Sequence, residues 1–134
     1  MTTAAKVLRQ GWECLDLTQL SGDVRMRSAA MLARQALEHA LHDALESDGV
    51  DPSRMSFRTQ LECLRHLRDL GGLARDAAYV WAALSRVTHY HGYELPPTRE
   101  ALVGWMETAS AVVEALGNGR GETGTGERHH EPPS

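Results

Sequence analysis

The stretch VRMRSAAMLARQALEHALHDALE, Val24 to Glu46, decides the fold. Met26, Ala30, Ala33, Leu37, Ala40, Leu41 and Ala44 recur mostly at steps of three and four. That spacing predicts a helix with one apolar face. Alanine dominates the face, so neighbouring helices can approach closely. Ser21-Gly22-Asp23 offers a cap before it, and Asp48-Gly49 followed by Asp51-Pro52 stops it.

The same period recurs on both sides. Leu8, Trp12 and Leu15 predict a first helix over about Ala4–Leu20. Phe57, Leu61, Leu64 and Leu67 predict a third, from about Ser56 to Leu70, ahead of Gly71-Gly72. Ala77, Val80, Trp81, Leu84 and Val87 predict a fourth over Leu73–His91, with Gly92 as a left-handed stop. Tyr93 to Pro97 is then a connection, because Pro96-Pro97 cannot continue a helix. Thr98 caps a fifth helix with Glu100 in its first turn. Leu102, Trp105, Ala109, Val112, Val113 and Leu116 form its inward face, and Gly117 ends it.

These elements define an all-α, single-domain, up-and-down bundle of about five helices over residues 1–117. Residues 118–134 are rich in Gly, Glu and Pro with little to bury, and are expected to form a disordered tail. A length of 134 residues suits one domain with its own core. Aromatic residues make up only 5%, which argues against a β-sandwich. No apolar run reaches the roughly 18 residues of a membrane span, and no secretory signal is visible. Cys14 and Cys63 lie inside helical patterns and read as thiols in a reducing cytoplasm.

The formal net charge of −4 does not draw the whole molecule to nucleic acid. Any such contact needs a local basic feature. Arg58, Arg65 and Arg68 fall within an arc of roughly 80° on the third helix. They read either as a solvated face or as a phosphate-facing strip.

The most chemically loaded segment is Ser85-Arg86-Val87-Thr88-His89-Tyr90-His91-Gly92-Tyr93, where the fourth helix terminates. Arginine offers a permanent cation in a fork that fits phosphate. Histidine moves protons near neutral pH. RNA cleavage by internal transesterification needs both. In an uninterrupted helix Arg86 and His91 are about 140° apart and ~7.5 Å along the axis, so one face cannot present them together. Simpler readings are a helix C-terminal cation for Arg86, a packed histidine for His91 and an anchor for Tyr93. His89 and His91 also form a possible metal pair, the weaker reading of these two residues.

Arg86, His91 and Tyr93 resemble the arginine-x4-histidine-x-tyrosine motif of HEPN domains, notably HEPN toxins of bacterial toxin–antitoxin pairs. The segment Ala33 to His42, followed by Gly49-Val50-Asp51-Pro52, resembles the early HEPN helix. That helix often carries a glutamate followed four residues later by a basic residue. Glu38 matches, and His42 stands in the basic position. The resemblance implies a metal-independent, cofactor-free endoribonuclease in the cytoplasm. Its catalytic set would be Arg86, His91, Tyr93 and Glu38, with His42 and His89 in support. It implies a homodimer with both motifs at the interface, an RNA substrate, a nucleotidyltransferase-type antitoxin and Tyr93 as a target for nucleotidylation. Active members often have a polar residue after the arginine, where this chain has Val87. The alternative is a catalytically inactive HEPN-like dimer that binds a protein or nucleotide. A purely structural bundle is a third class.

Overall fold

The computed structural model describes residues 1–89 and 96–130, with side chains as far as Asn118. Five helices follow in order: α1 Thr3–Cys14, α2 Gly22–Ser47, α3 Phe57–Leu67, α4 Leu73–Thr88 and α5 Arg99–His130. The bundle is all-α, and no strand occurs among the described residues. No described helix is long and apolar enough to cross a membrane.

Helix α2 is the axis of the molecule and packs against each of the other four. Its buried set includes Ala29, Ala36 and Leu45 besides the expected stripe, while Met26 is only partly buried. One stripe serves a helix covered on one side. Here neighbours surround the helix, and alanine lets them come close on several sides. Gly11 marks a close approach of α1 to α2: a Cβ there would meet the Ala29 carbonyl oxygen and Leu32 Cβ, each at 3.3 Å.

Caps set most of the boundaries. Thr2, Ser21, Ser56 and Thr98 accept hydrogen bonds from the amides of Ala5, Val24, Thr59 and Ala101. At the end of α2, Gly49 takes φ 84°, and the Val50 amide reaches back to the Leu45 carbonyl at 2.9 Å. This left-handed stop returns Val50 to the core. Asp51 then accepts from the Ser53 amide at 3.0 Å. That bond, with the Ser53 hydroxyl, holds the Asp51 carboxyl below its ordinary pKa.

Three boundaries differ from expectation. Helix α1 stops at Cys14 instead of continuing to Leu20. The Leu15 carbonyl accepts from the Arg99 guanidinium at 3.1 Å, and the next residues turn through i to i+3 bonds. A tertiary contact thus replaces the next helical bond. Helix α4 ends at Thr88, whose hydroxyl bonds back to the Leu84 carbonyl at 2.9 Å, with His89 as the cap. In α5 the last buried residue among the described side chains is Leu116, while the helical backbone, expected to end at Gly117, continues to His130. Extending a helix costs far less than starting one. Met106, absent from the expected stripe, is fully buried. Cys14 and Cys63 are free and half-buried.

Candidate functional site between α2 and α4

Helices α2 and α4 meet through a row of polar contacts. The Trp81 indole nitrogen donates to Glu38 Oε2 at 3.0 Å. Arg34 Nε lies 3.8 Å from the same oxygen, one turn earlier on α2. Arg34 Nη1 lies 3.4 Å from His89 Nε2, at the α4 cap. Arg34 and Glu38 ascend α2 while their partners His89 and Trp81 descend α4, so the helices run antiparallel here. For Arg34 to donate to His89, the imidazole must be neutral and carry its proton on Nδ1.

Ser85 lies between Trp81 and His89, one turn from each. Its hydroxyl oxygen is buried and has no hydrogen-bond partner among the described residues. Arg34 Nε is likewise buried, and 3.8 Å exceeds a hydrogen-bond length. Arg86 is exposed, three residues before His89 and therefore its neighbour on the helix surface. Asp23, Met26, Arg27, Val87, Pro96 and Pro97 enclose a small cleft nearby. The α2 segment facing this end of α4, residues 22–37, carries Arg25, Arg27 and Arg34 against Asp23 alone. From Glu38 to Asp48 the balance reverses: the segment carries Glu38, Asp43, Glu46 and Asp48 and no arginine or lysine. A chain of net charge −4 thus keeps a locally basic end beside Arg86.

The sequence-derived residues do not all converge. His91 and Tyr93 lie outside the described residues. Glu38 is tied to Trp81, which sits five residues before Arg86, about 7.5 Å away along the helix. His42, which stands in the basic position of the motif, has its Nδ1 3.5 Å from Glu46 Oε1. The basic partner is Arg34, one turn before Glu38 instead of one turn after. His89 joins the row directly through Arg34.

Arg58, Arg65 and Arg68 are not equally available to a phosphate. Arg68 grips Asp48 with two nitrogens, at 2.9 and 3.1 Å, and reaches the Ala44 carbonyl at 3.5 Å. Arg65 pairs with Glu62. Arg58 is exposed.

Farther along α2, His42, Asp43 and Glu46 hold donor atoms within 4.8 Å of one another. All three come from one helix, and His42 already pairs with Glu46. The group lies two to three helical turns farther along α2 than Arg34. Nearer to Trp81, an open cavity of about 660 Å³ is lined by Gln35, Glu38, His39 and His42 of α2, Met55, Phe57 and Gln60 around the start of α3, and Trp81. Phe57 and Trp81 stack with centroids 4.8 Å apart and planes within 4°.

Arg34, Ser85, Trp81 and Gln60 were not among the sequence-derived residues. Trp81 reads as core from its period, and Ser85 and Gln60 carry no motif. Arg34 had a usable signal, its i,i+4 spacing to Glu38. No protein-family model, no curated protein and no solved structure matches the chain.

Proposed function

We propose that the chain is a metal-independent endoribonuclease of the HEPN type, the toxin of a toxin–antitoxin pair, acting as a homodimer in the cytoplasm. The observation that carries this reading is the Arg34–His89 contact beside exposed Arg86. Two guanidinium groups and an imidazole occupy the locally basic end of an otherwise acidic chain.

Arg86 and Arg34 present donor forks to the scissile phosphate, and His89 orients Arg34. His91 accepts the 2′-hydroxyl proton as O2′ bonds to phosphorus. The bond to O5′ breaks, and O5′ recovers a proton from the resulting imidazolium. The products are a 2′,3′-cyclic phosphate and a 5′-hydroxyl end. The arginines stabilise the charge that develops on the phosphoryl oxygens. A second copy of the chain brings its own Arg86 and His91 to the shared site. A nucleotidyltransferase-type antitoxin restrains the enzyme by modifying Tyr93.

The test is incubation of purified protein with end-labelled single-stranded RNA in excess EDTA. Products ending in 2′,3′-cyclic phosphate support the reading. Absence of cleavage, or cleavage only with added Mg²⁺, contradicts it. Light scattering at tens of micromolar should give the mass of a dimer; a monomer would remove the shared site.

One observation favours a second reading, a catalytically silent binding module. Val87 is buried, so the position after Arg86 contributes an apolar wall and no polar group.

A further inference from the structure

We propose that His42, Asp43 and Glu46, in the last two turns of α2, bind one Zn²⁺ ion. The site is separate from the ribonuclease reading and does not rest on it: His42 lies about 12 Å along α2 from Arg34.

The donor atoms already converge. One ligand atom from each of the three residues lies within 4.8 Å of the other two. His42 Nδ1 and Glu46 Oε1 are 3.5 Å apart. Helical spacing accounts for this. At 100° per residue Glu46 falls between the other two, roughly 40° from His42 and 60° from Asp43. Ligands held about 2.0–2.2 Å from a tetrahedral zinc ion stand about 3.4 Å from one another, so the group needs to close by about 1.5 Å at most. The Glu46 side chain is 58% exposed and can swing that far without disturbing the core.

The charges at this end of α2 favour a cation. The C-terminal end of a helix carries partial negative charge and is stabilised by basic side chains. The last turn of α2 has none, and Glu46 stands in it. Arg68 answers the Asp48 carboxylate and the Ala44 carbonyl. No such cation reaches the other two carboxylates: among the described residues Asp43 has no ion pair, and Glu46 has His42 alone. Asp51, on the loop beyond, adds negative charge; besides its hydrogen bonds with Ser53, its carboxyl also senses His42. An exposed histidine–glutamate pair contributes little and needs a protonated imidazole. A metal ion takes the neutral imidazole and both carboxylates together.

The donor set selects the ion. One imidazole nitrogen and two carboxylate oxygens suit zinc, whereas magnesium and calcium prefer oxygen ligands throughout. Three protein ligands leave a fourth position for water. The bound ion ties the last turn of α2 to the turn before it.

The experiment is calorimetric titration of Zn²⁺ into the full chain, first stripped with EDTA and desalted. One equivalent should bind, and Mg²⁺ present at the same concentration should leave the isotherm unchanged. His42→Ala, Asp43→Asn and Glu46→Gln should each weaken binding about tenfold or more. All three positions are half-buried or exposed, so the variants should keep the helical circular dichroism of wild type. His39→Ala, on the neighbouring turn, and a variant carrying both His129→Ala and His130→Ala should bind as wild type does. Absence of binding by wild type, equal competition by Mg²⁺, full binding by Glu46→Gln, or loss of binding in either histidine control overturns the proposal. The magnesium comparison uses wild-type protein and stands whether or not a substituted chain folds. Zinc binding without RNA cleavage leaves this site standing and removes the nuclease. RNA cleavage in EDTA by a chain that binds no zinc does the reverse.

Discussion

Trp81 and Glu38 are joined across two helices by a hydrogen bond of 3.0 Å, and the acceptor oxygen is also the one nearest Arg34. One carboxylate thus holds a tryptophan on α4 and a cation on α2 in a fixed relation. Two substitutions separate these duties. Glu38→Gln keeps a hydrogen-bond acceptor for the indole but removes the charge that faces Arg34. Its melting should stay within about 1 kcal/mol of wild type, while RNA cleavage falls as Arg34 loses its brace. Glu38→Ala strands the indole N–H and should cost about 1–3 kcal/mol. Chemical denaturation and cleavage rates measured on both variants check this. Equal cleavage by Glu38→Gln and wild type would release Glu38 from any part in the site.

Arg68 tests the difference between an anchoring arginine and a phosphate-seeking one. Its side chain is 14% exposed and its partner Asp48 24%. The pair ties the end of α3 to the end of α2. Arg68→Ala should cost about 1–3 kcal/mol, between the values for exposed and fully buried pairs. Arg58→Ala should stay within about 0.5 kcal/mol. A neutral Arg68→Ala would show that the clamp contributes nothing and return Arg68 to the candidate phosphate strip.

Two glycines should respond in opposite directions. Gly11 faces the Ala29 carbonyl and Leu32 at 3.3 Å, so Gly11→Leu must separate α1 from α2. The expected cost is about 1–3 kcal/mol. Gly104 in α5 has nothing within 4 Å of a Cβ, so Gly104→Ala should gain up to about 1 kcal/mol from helix propensity. Thermal melts of both variants decide the matter. A harmless Gly11→Leu would mean that the α1–α2 contact is loose.

The segment after the bundle should be dispensable for folding. Among the described side chains of α5, the last buried one is Leu116. Deleting residues 118–134 should leave the melting temperature within a few degrees. A large drop would show that the segment packs on the bundle.

The fold was readable because helical period, caps and glycine stops agree. Ser21, Ser56 and Thr98 cap where their side chains suggest, and Gly49 stops α2 as its place beside Asp48 suggests. What the sequence could not show were decisions made by distant residues. The end of α1 is set by Arg99, far along the chain. The burial of Ala29 and Ala36 depends on how many helices surround α2. The candidate site was legible as a type of chemistry at the end of α4, less so as a set of residues. Arg34 became a member only when antiparallel packing brought it to His89. Trp81 looked like core until its N–H was seen to meet Glu38.

The most direct test of the proposed site is to measure RNA cleavage and folding stability together in Arg86→Ala, His91→Ala and Leu84→Ala. Arg86 is exposed, whereas Leu84 is fully buried in the core. Arg86→Ala and His91→Ala should each reduce cleavage by about a hundredfold or more while changing stability by about 1 kcal/mol or less. Leu84→Ala should instead cost roughly 2–5 kcal/mol through the cavity it leaves. Undiminished cleavage by Arg86→Ala, or unfolding of His91→Ala in a protein with no detectable wild-type cleavage, would contradict a ribonuclease site at the end of α4.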